Sequence, residues 1–190
     1  MKVILVRHGE TEENSAGIFQ GHIHGKLTEQ GIDQARKAAL RLKNEKIDAI
    51  FSSDLARAAD TAKEIRHYHR DVPLILTESL REFSMGILTG KKKSEIGPID
   101  WKNKRPEGVE SEEQTKKRLR GFIDETYKKY PKSTVVFVSH GGAGRQMLAL
   151  VQGKRLEEMP ELGNASISIF EITEDKKHRI HMINNTGHLR

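Results

Sequence analysis

Three short apolar runs constrain the fold more than anything else in this chain: Lys2 to Val6, Ala49 to Ser52 and Thr134 to Val138. Each is rich in β-branched residues and continuous rather than alternating, the pattern of strands covered on both faces, and such strands belong to buried parallel sheets. Between the runs the period changes to that of helices. Ile32, Ala35, Ala39 and Leu42 share one helix face, and Leu55, Ala58, Ala62 and Ile65 share another. A third helix is predicted to start at Ser111, which has capping-box spacing with Gln114, and to run through Leu119, Phe122, Ile123 and Tyr127 until Pro131 follows its end. After His140, Gly141, Gly142 and Gly144 read as a turn before a short helix over Met147 to Val151. Ser166 to Ile172 and Arg179 to Ile183, joined around Glu174 and Asp175, read as an antiparallel pair. The fold class is therefore α/β: a three-layer, doubly wound, mostly parallel sheet flanked by helices.

A length of 190 residues suits one domain over 1–190, and no repeat or composition shift marks a boundary. Residues 86–108 are polar and broken by Gly90, Gly97, Pro98 and Pro106, so this stretch is expected to form an irregular lid. Arg7 and His8 stop the first apolar run long before the roughly 18 residues of a membrane span, so neither an anchor nor an export signal is expected. The absence of cysteine excludes disulfides, thiol nucleophiles and thiolate metal sites, and the lack of an export signal favours the cytoplasm. A net charge of +6 would attract polyanions, yet aromatic residues at 5% are thin for stacking bases, which argues against nucleic acid as a partner. A basic rim that steers small phosphorylated substrates, with Lys91, Lys92, Lys93 and the stretch from Lys116 to Arg120 as candidates, accounts for the same charge.

Arg7-His8-Gly9-Glu10-Thr11 directly follows the first strand, in the loop at the carboxyl end of a parallel sheet where open α/β folds bind ligands. The string continues through Asn14, Gln20 and Gly21 to Leu27-Thr28-Glu29-Gln30-Gly31, with Gln34 and Ala35 after it. Ser52-Ser53-Asp54-Leu55 follows with Arg57 and Thr61, then Leu80-Arg81-Glu82, Val138-Ser139-His140-Gly141-Gly142 and Asn164-Ala165-Ser166. In this order, and over nearly the whole chain, these motifs resemble the histidine phosphatase superfamily, which includes the cofactor-dependent phosphoglycerate mutases and fructose-2,6-bisphosphatase.

The resemblance implies a phosphomonoester hydrolase that works through a phosphohistidine at His8, without a metal or other cofactor. It implies that the Gly9 carbonyl holds the other ring nitrogen of His8, and that Asn14, Gln20, Gly21 and Gly141 face the substrate. Elementary chemistry asks for the same residue types. A phosphoryl group in transfer spreads negative charge over its equatorial oxygens, and Arg7, Arg57 and His140 can supply fixed donors around it. Each arginine fork suits two phosphate oxygens, where lysine would act as a point charge. His8 must be neutral to attack, and an unperturbed pKa of about 6.5 together with cationic neighbours allows that. Glu82 is the candidate to protonate the leaving oxygen and then activate water, with Glu10 in reserve; its other reading is a surface ion pair with Arg81. His22 and His24 stand two apart without an acidic cluster or cysteine nearby, so no metal set is expected there.

Two departures bear on specificity. Gly86 to Gly90 keeps the family's glycines but puts Thr89 where an acidic residue is frequent, and the gap from Glu82 to His140 is short for a mutase. A thin lid favours hydrolysis. The alternatives are a cofactor-dependent phosphoglycerate mutase and a phosphate-binding module without turnover.

Overall fold

Successive residues of a strand point to opposite faces of its sheet, and the strand Lys2–Arg7 (β1) divides its apolar residues accordingly. Val3 and Leu5 join one core with Phe51, Val135, Phe137, Leu119, Phe122 and Met147. Ile4 and Val6 join the other with Ile50, Val136, Ala39, Leu42, Ala58 and Ile65. Two cores on one sheet make three layers, and the continuous runs of the sequence are continuous because both faces are covered.

The computed structural model describes residues 1–101, 104–175 and 178–190. After β1 come α1 (Glu12–Ser15), α2 (Glu29–Leu42), β2 (Ala49–Ser53), α3 (Ala56–Tyr68) and β3 (Leu74–Thr77), then α4 (Glu112–Lys129), β4 (Thr134–Ser139), α5 (Gly141–Gln152), β5 (Ile167–Glu171) and β6 (Arg179–Asn185). The strand order is β3-β2-β4-β1-β5-β6. The first four strands are mutually parallel, and β5 and β6 add as an antiparallel edge. Core membership places α2 and α3 on one face and α4 and α5 on the other. Ser111 caps α4 with Gln114 in the expected reciprocal arrangement.

The structure differs from the sequence reading at three places. β3 was not anticipated: it is a four-residue edge strand after Pro73 whose Ile75 and Leu76 remain exposed, so it lacks the two-sided burial that marked the others. The helical turn α1, closed by a capping box between Thr11 and Asn14, also went unread. Gly141, Gly142 and Gly144 form the first turn of α5 instead of a turn before it. Their purpose is close approach: a Cβ on Gly142 would stand 2.7 Å from Glu82 Oε1, and one on Gly144 2.9 Å from Leu162 Cδ1.

Within 86–108, residues 102 and 103 lie outside the described residues; the remainder holds 3-10 turns at Gly86–Leu88 and Lys93–Glu95. Backbone bonds lace it to the loop after α1: Phe19 N to Lys91 O (3.0 Å), Gly90 N to Phe19 O (2.8 Å) and Lys93 N to Gly17 O (2.9 Å). Among the described residues no helix is long and apolar enough to cross a membrane.

Candidate active site

Three adjacent parallel strands deliver the central residues. Arg7 ends β1 and pairs in register with Ser139, the last residue of β4, so His8 and His140 leave neighbouring strands side by side. Their ring centroids lie 5.1 Å apart. Arg57 enters from the first turn of α3, just after β2. All three are almost completely buried, at 3% exposure for His8 and 1% for His140 and Arg57.

Hydrogen bonds assign the tautomers. His8 Nδ1 lies 2.7 Å from Gly9 O, and because a carbonyl can only accept, Nδ1 carries the hydrogen and Nε2 keeps its lone pair. Arg57 Nε–H points at that lone pair (3.3 Å) and equally at His140 Nδ1 (3.2 Å). Nε2 of His140 then carries the hydrogen, and it is buried without a partner among the described residues, as is Nε of Arg7. Two buried donors without acceptors mark a place for an anion. Burial, followed by the charge of Arg57, holds both histidines well below the ordinary 6.5, and Arg7 adds to the effect. Both rings are neutral at physiological pH. Burial also lowers Arg57 to about 10, against the pull of Glu82 and Glu13, and leaves it charged.

Arg57 does not offer the open fork that the sequence led us to expect. Its Nη1 donates to Ile23 O and to His24 O (3.3 Å), and its Nη2 donates to Gly21 O at 2.9 Å. A guanidinium buried this deeply needs acceptors, and the loop around Gly21, turned by a φ of +49°, provides carbonyls. One Nη2 hydrogen remains for an incoming oxygen. Arg7 is likewise tied by Nη1 to Leu162 O.

Glu82 follows the 3-10 turn Glu78–Leu80 and caps α5 from outside: Oε2 accepts from Gly142 N (2.9 Å), and Oε1 accepts from Ala143 N (2.8 Å) and Phe83 N (3.0 Å). It makes no pair with Arg81, whose guanidinium grips Asp54. Glu10, the reserve, accepts from Thr28 Oγ1 at 3.0 Å and does not line the cavity. His22 Nε2 bonds Glu82 O (2.9 Å), and His24 Nδ1 accepts from Ala56 N (3.3 Å), so both rings serve the backbone.

A cavity of about 300 Å³ opens above these groups, walled by Arg7, His8, Asn14, Gln20, Gly21, Arg57, Glu82 and Gly141. Of the candidate site residues His140 and the reserve Glu10 are absent from the wall; His140 adjoins it through the Arg57 Nε–H that its Nδ1 accepts and through the edge of the His8 ring. Lys93, a basic-rim candidate, also lines the cavity, and the sequence reading missed Arg145, Glu161, Phe19 and Met85, which line it too. Arg145 could have been found, since it lies one helical turn beyond Gly141; the Leu162 carbonyl on Arg7 is backbone and leaves no sequence signal. A larger hollow of about 740 Å³, bordered by Arg120, Tyr127, Gln152 and Thr173, contains no motif residue.

Known proteins similar to this chain include phosphatases. Phosphoserine phosphatase 1 of Hydrogenobacter thermophilus is 33% identical over 201 residues, spanning 100% of this chain and 94% of that protein. The metal-independent phosphoserine phosphatase of Arabidopsis thaliana is 33% identical over 187 residues, 92% of this chain and 78% of that one. Among solved structures, a mycobacterial glucosyl-3-phosphoglycerate phosphatase complexed with VO3 superposes with a TM-score of 0.89 at 27% identity, over 97% of this chain and 99% of its own. The model of the histidine phosphatase superfamily, branch 1, matches residues 3–186, and the chain belongs to that superfamily.

Proposed function

We propose that this chain hydrolyses phosphate monoesters of small metabolites through a phosphohistidine at His8, without a metal. One observation carries the proposal: a buried, neutral His8 whose Nδ1–H is spent on Gly9 O, leaving the Nε2 lone pair beside the charged Arg57. The chain is a phosphatase of its superfamily, and its relatives are named for phosphoserine and glucosyl-3-phosphoglycerate. A cavity of about 300 Å³ suits alcohols of modest size.

In the first step the Nε2 lone pair bonds to phosphorus, the ester P–O bond breaks, and the Glu82 carboxyl gives its proton to the departing oxygen. Arg7 Nε–H, His140 Nε2–H and the remaining Nη2–H of Arg57 stabilise the charge on the equatorial oxygens. In the second step water attacks phosphorus, Glu82 takes its proton, the P–N bond breaks and inorganic phosphate leaves.

The test is phosphate release from a panel of sugar phosphates, phosphoglycerates, phosphoserine, nucleotides and an aryl phosphate, with and without exhaustive chelation. Turnover is expected to survive chelation and to vanish in His8→Ala, with an alkali-stable, acid-labile label trapped on the wild type alone. Activity that chelation abolishes and added metal restores overturns the metal-free site. A requirement for 2,3-bisphosphoglycerate with little phosphate release makes the protein a mutase instead.

A further inference from the structure

The motif Asn164-Ala165-Ser166 has no part in the chemistry described above, yet it touches the nucleophile's backbone. The His8 carbonyl accepts from Ala165 N (3.0 Å) and from Asn164 Nδ2 (3.2 Å). Ala165 reaches this position at a φ of +51°, a conformation that alanine rarely adopts, and observed strain of this kind invites a search for what it holds in place. What it holds is the Asn164 amide. That amide has its second contact with Asn14, where Nδ2 lies 3.2 Å from Oδ1.

The directions of these bonds follow from a chain of necessity. A carbonyl cannot donate, so the His8 oxygen forces Asn164 to present its NH2 group. The other hydrogen of that group then requires an acceptor, which makes the facing atom of Asn14 its oxygen. Thr11 N (3.2 Å) and Thr11 Oγ1 (3.1 Å) also point at Asn14 Oδ1. With Oδ1 held by three contacts, the Asn14 NH2 group is turned away from all of them, and Asn14 lines the cavity beside His8 and Arg7. No bond from Asn14 Nδ2 to a protein acceptor is found among the described residues.

We infer that Asn164 is a positioning residue that, together with the Thr11 N–H and hydroxyl, holds the polarity of the Asn14 amide, so that the cavity meets a hydrogen-bond donor and never an acceptor. The consequence is discrimination for anions: a flipped Asn14 would set a carbonyl oxygen against the phosphoryl group. The inference rests on the phosphatase reading only in the identity of the anion.

The experiment uses inorganic phosphate as the probe, both as a competitive inhibitor of aryl phosphate turnover and directly by calorimetry on the full chain. Asn164→Asp keeps the shape but replaces the donors by acceptors, which releases or reverses the Asn14 amide. Phosphate affinity is expected to fall about tenfold or more, the scale of one charge-assisted hydrogen bond. Asn164→Ala leaves both Thr11 donors in place and is expected to cost about threefold or less. Because an added carboxylate would repel phosphate from anywhere nearby, the deciding measurement is the same Asp substitution in an Asn14→Ala background, where its penalty is expected to shrink to about threefold or below. An undiminished penalty there, or equal losses in Asn164→Asp and Asn164→Ala, overturns the inference. Asn14→Asp provides a second arm, since its carboxylate keeps all three donors satisfied. It is expected to melt like the wild type and still lose phosphate about tenfold, and retention of affinity would show that the cavity does not meet an Asn14 donor. If wild-type enzyme releases no phosphate from any ester, the phosphatase reading falls, while calorimetry still decides the role of Asn164.

Discussion

Acidification should weaken this fold through two histidines in particular. In the unfolded chain His8 and His140 take up protons below about 6.5, whereas burial and Arg57 keep both neutral in the folded state well below that value. The unfolded state therefore binds more protons in this range, so stability rises with pH, is complete above the unfolded value, and is lost as pH falls from about 6.5 towards the folded values. Each ring that stays neutral contributes a slope approaching 1.36 kcal/mol per pH unit, so moving from about pH 7.5 to about pH 5.5 costs about 1.4 kcal/mol per ring and about 2.7 kcal/mol for the pair. Against a typical total of roughly 5–15 kcal/mol this is large. Urea unfolding at the two pH values measures it. His188, lowered by burial, shares the sign in this range, so the informative quantity is a difference between proteins. His8→Gln and His140→Gln should each reduce the pH dependence by about 1.4 kcal/mol. If both variants lose as much stability on acidification as the wild type, the rings are not neutral in the folded protein and the tautomer assignment collapses with them.

Arg57→Lys should lower kcat/KM about tenfold or more, about 1.4 kcal/mol, because an ammonium cannot serve the Gly21 and Ile23 carbonyls and the two histidines together. Steady-state kinetics near wild type would remove Arg57 from its role. Glu82→Gln should slow alkyl esters far more than aryl esters, whose leaving groups need little protonation, and rapid quench under alkaline conditions should catch an accumulated phosphoenzyme. Equal rates on both esters and no trapped label would move the acid elsewhere. Gly142→Ala places a Cβ 2.7 Å from Glu82 Oε1; it should destabilise the protein by about 1–3 kcal/mol and cut turnover in the same direction as Glu82→Gln, and a silent substitution by both measures would refute the close approach.

Much of this molecule is legible in its residues because the same physical demand acts on many positions at once. The strands β1, β2 and β4 are read from Lys2–Val6, Ala49–Ser52 and Thr134–Val138 because burial on two faces leaves each run apolar except at an end, at Lys2, Ser52 and Thr134. The edge strand β3 makes no such demand, and its exposed Ile75 and Leu76 leave only a weak signal. At the site, Arg7, His8, Arg57, Glu82 and His140 are visible as residue types suited to phosphoryl transfer. The partners that aim them are backbone atoms: Gly9 O on His8 is foreseen through the family resemblance alone, and Leu162 O on Arg7, Gly21 O on Arg57 and the Gly142 and Ala143 amides on Glu82 are not foreseen. Backbone groups are common to every residue, and only three-dimensional placement distinguishes them.

The in-register pairing of β1 with β4 has a consequence for how such a protein can diversify. His8 N donates to Ser139 O at 3.0 Å, so the two histidines are spaced by the ladder itself and not by the 131 residues between them. Insertions in the connecting segments, including the laced stretch at 86–108, leave that spacing untouched. Loss of one residue inside either strand shifts the ladder and replaces a histidine with its neighbour. Lineages are thus free to lengthen or exchange the walls of the cavity while the reacting pair is inherited as a unit, and the expected signature is variable loop length around an invariant strand register.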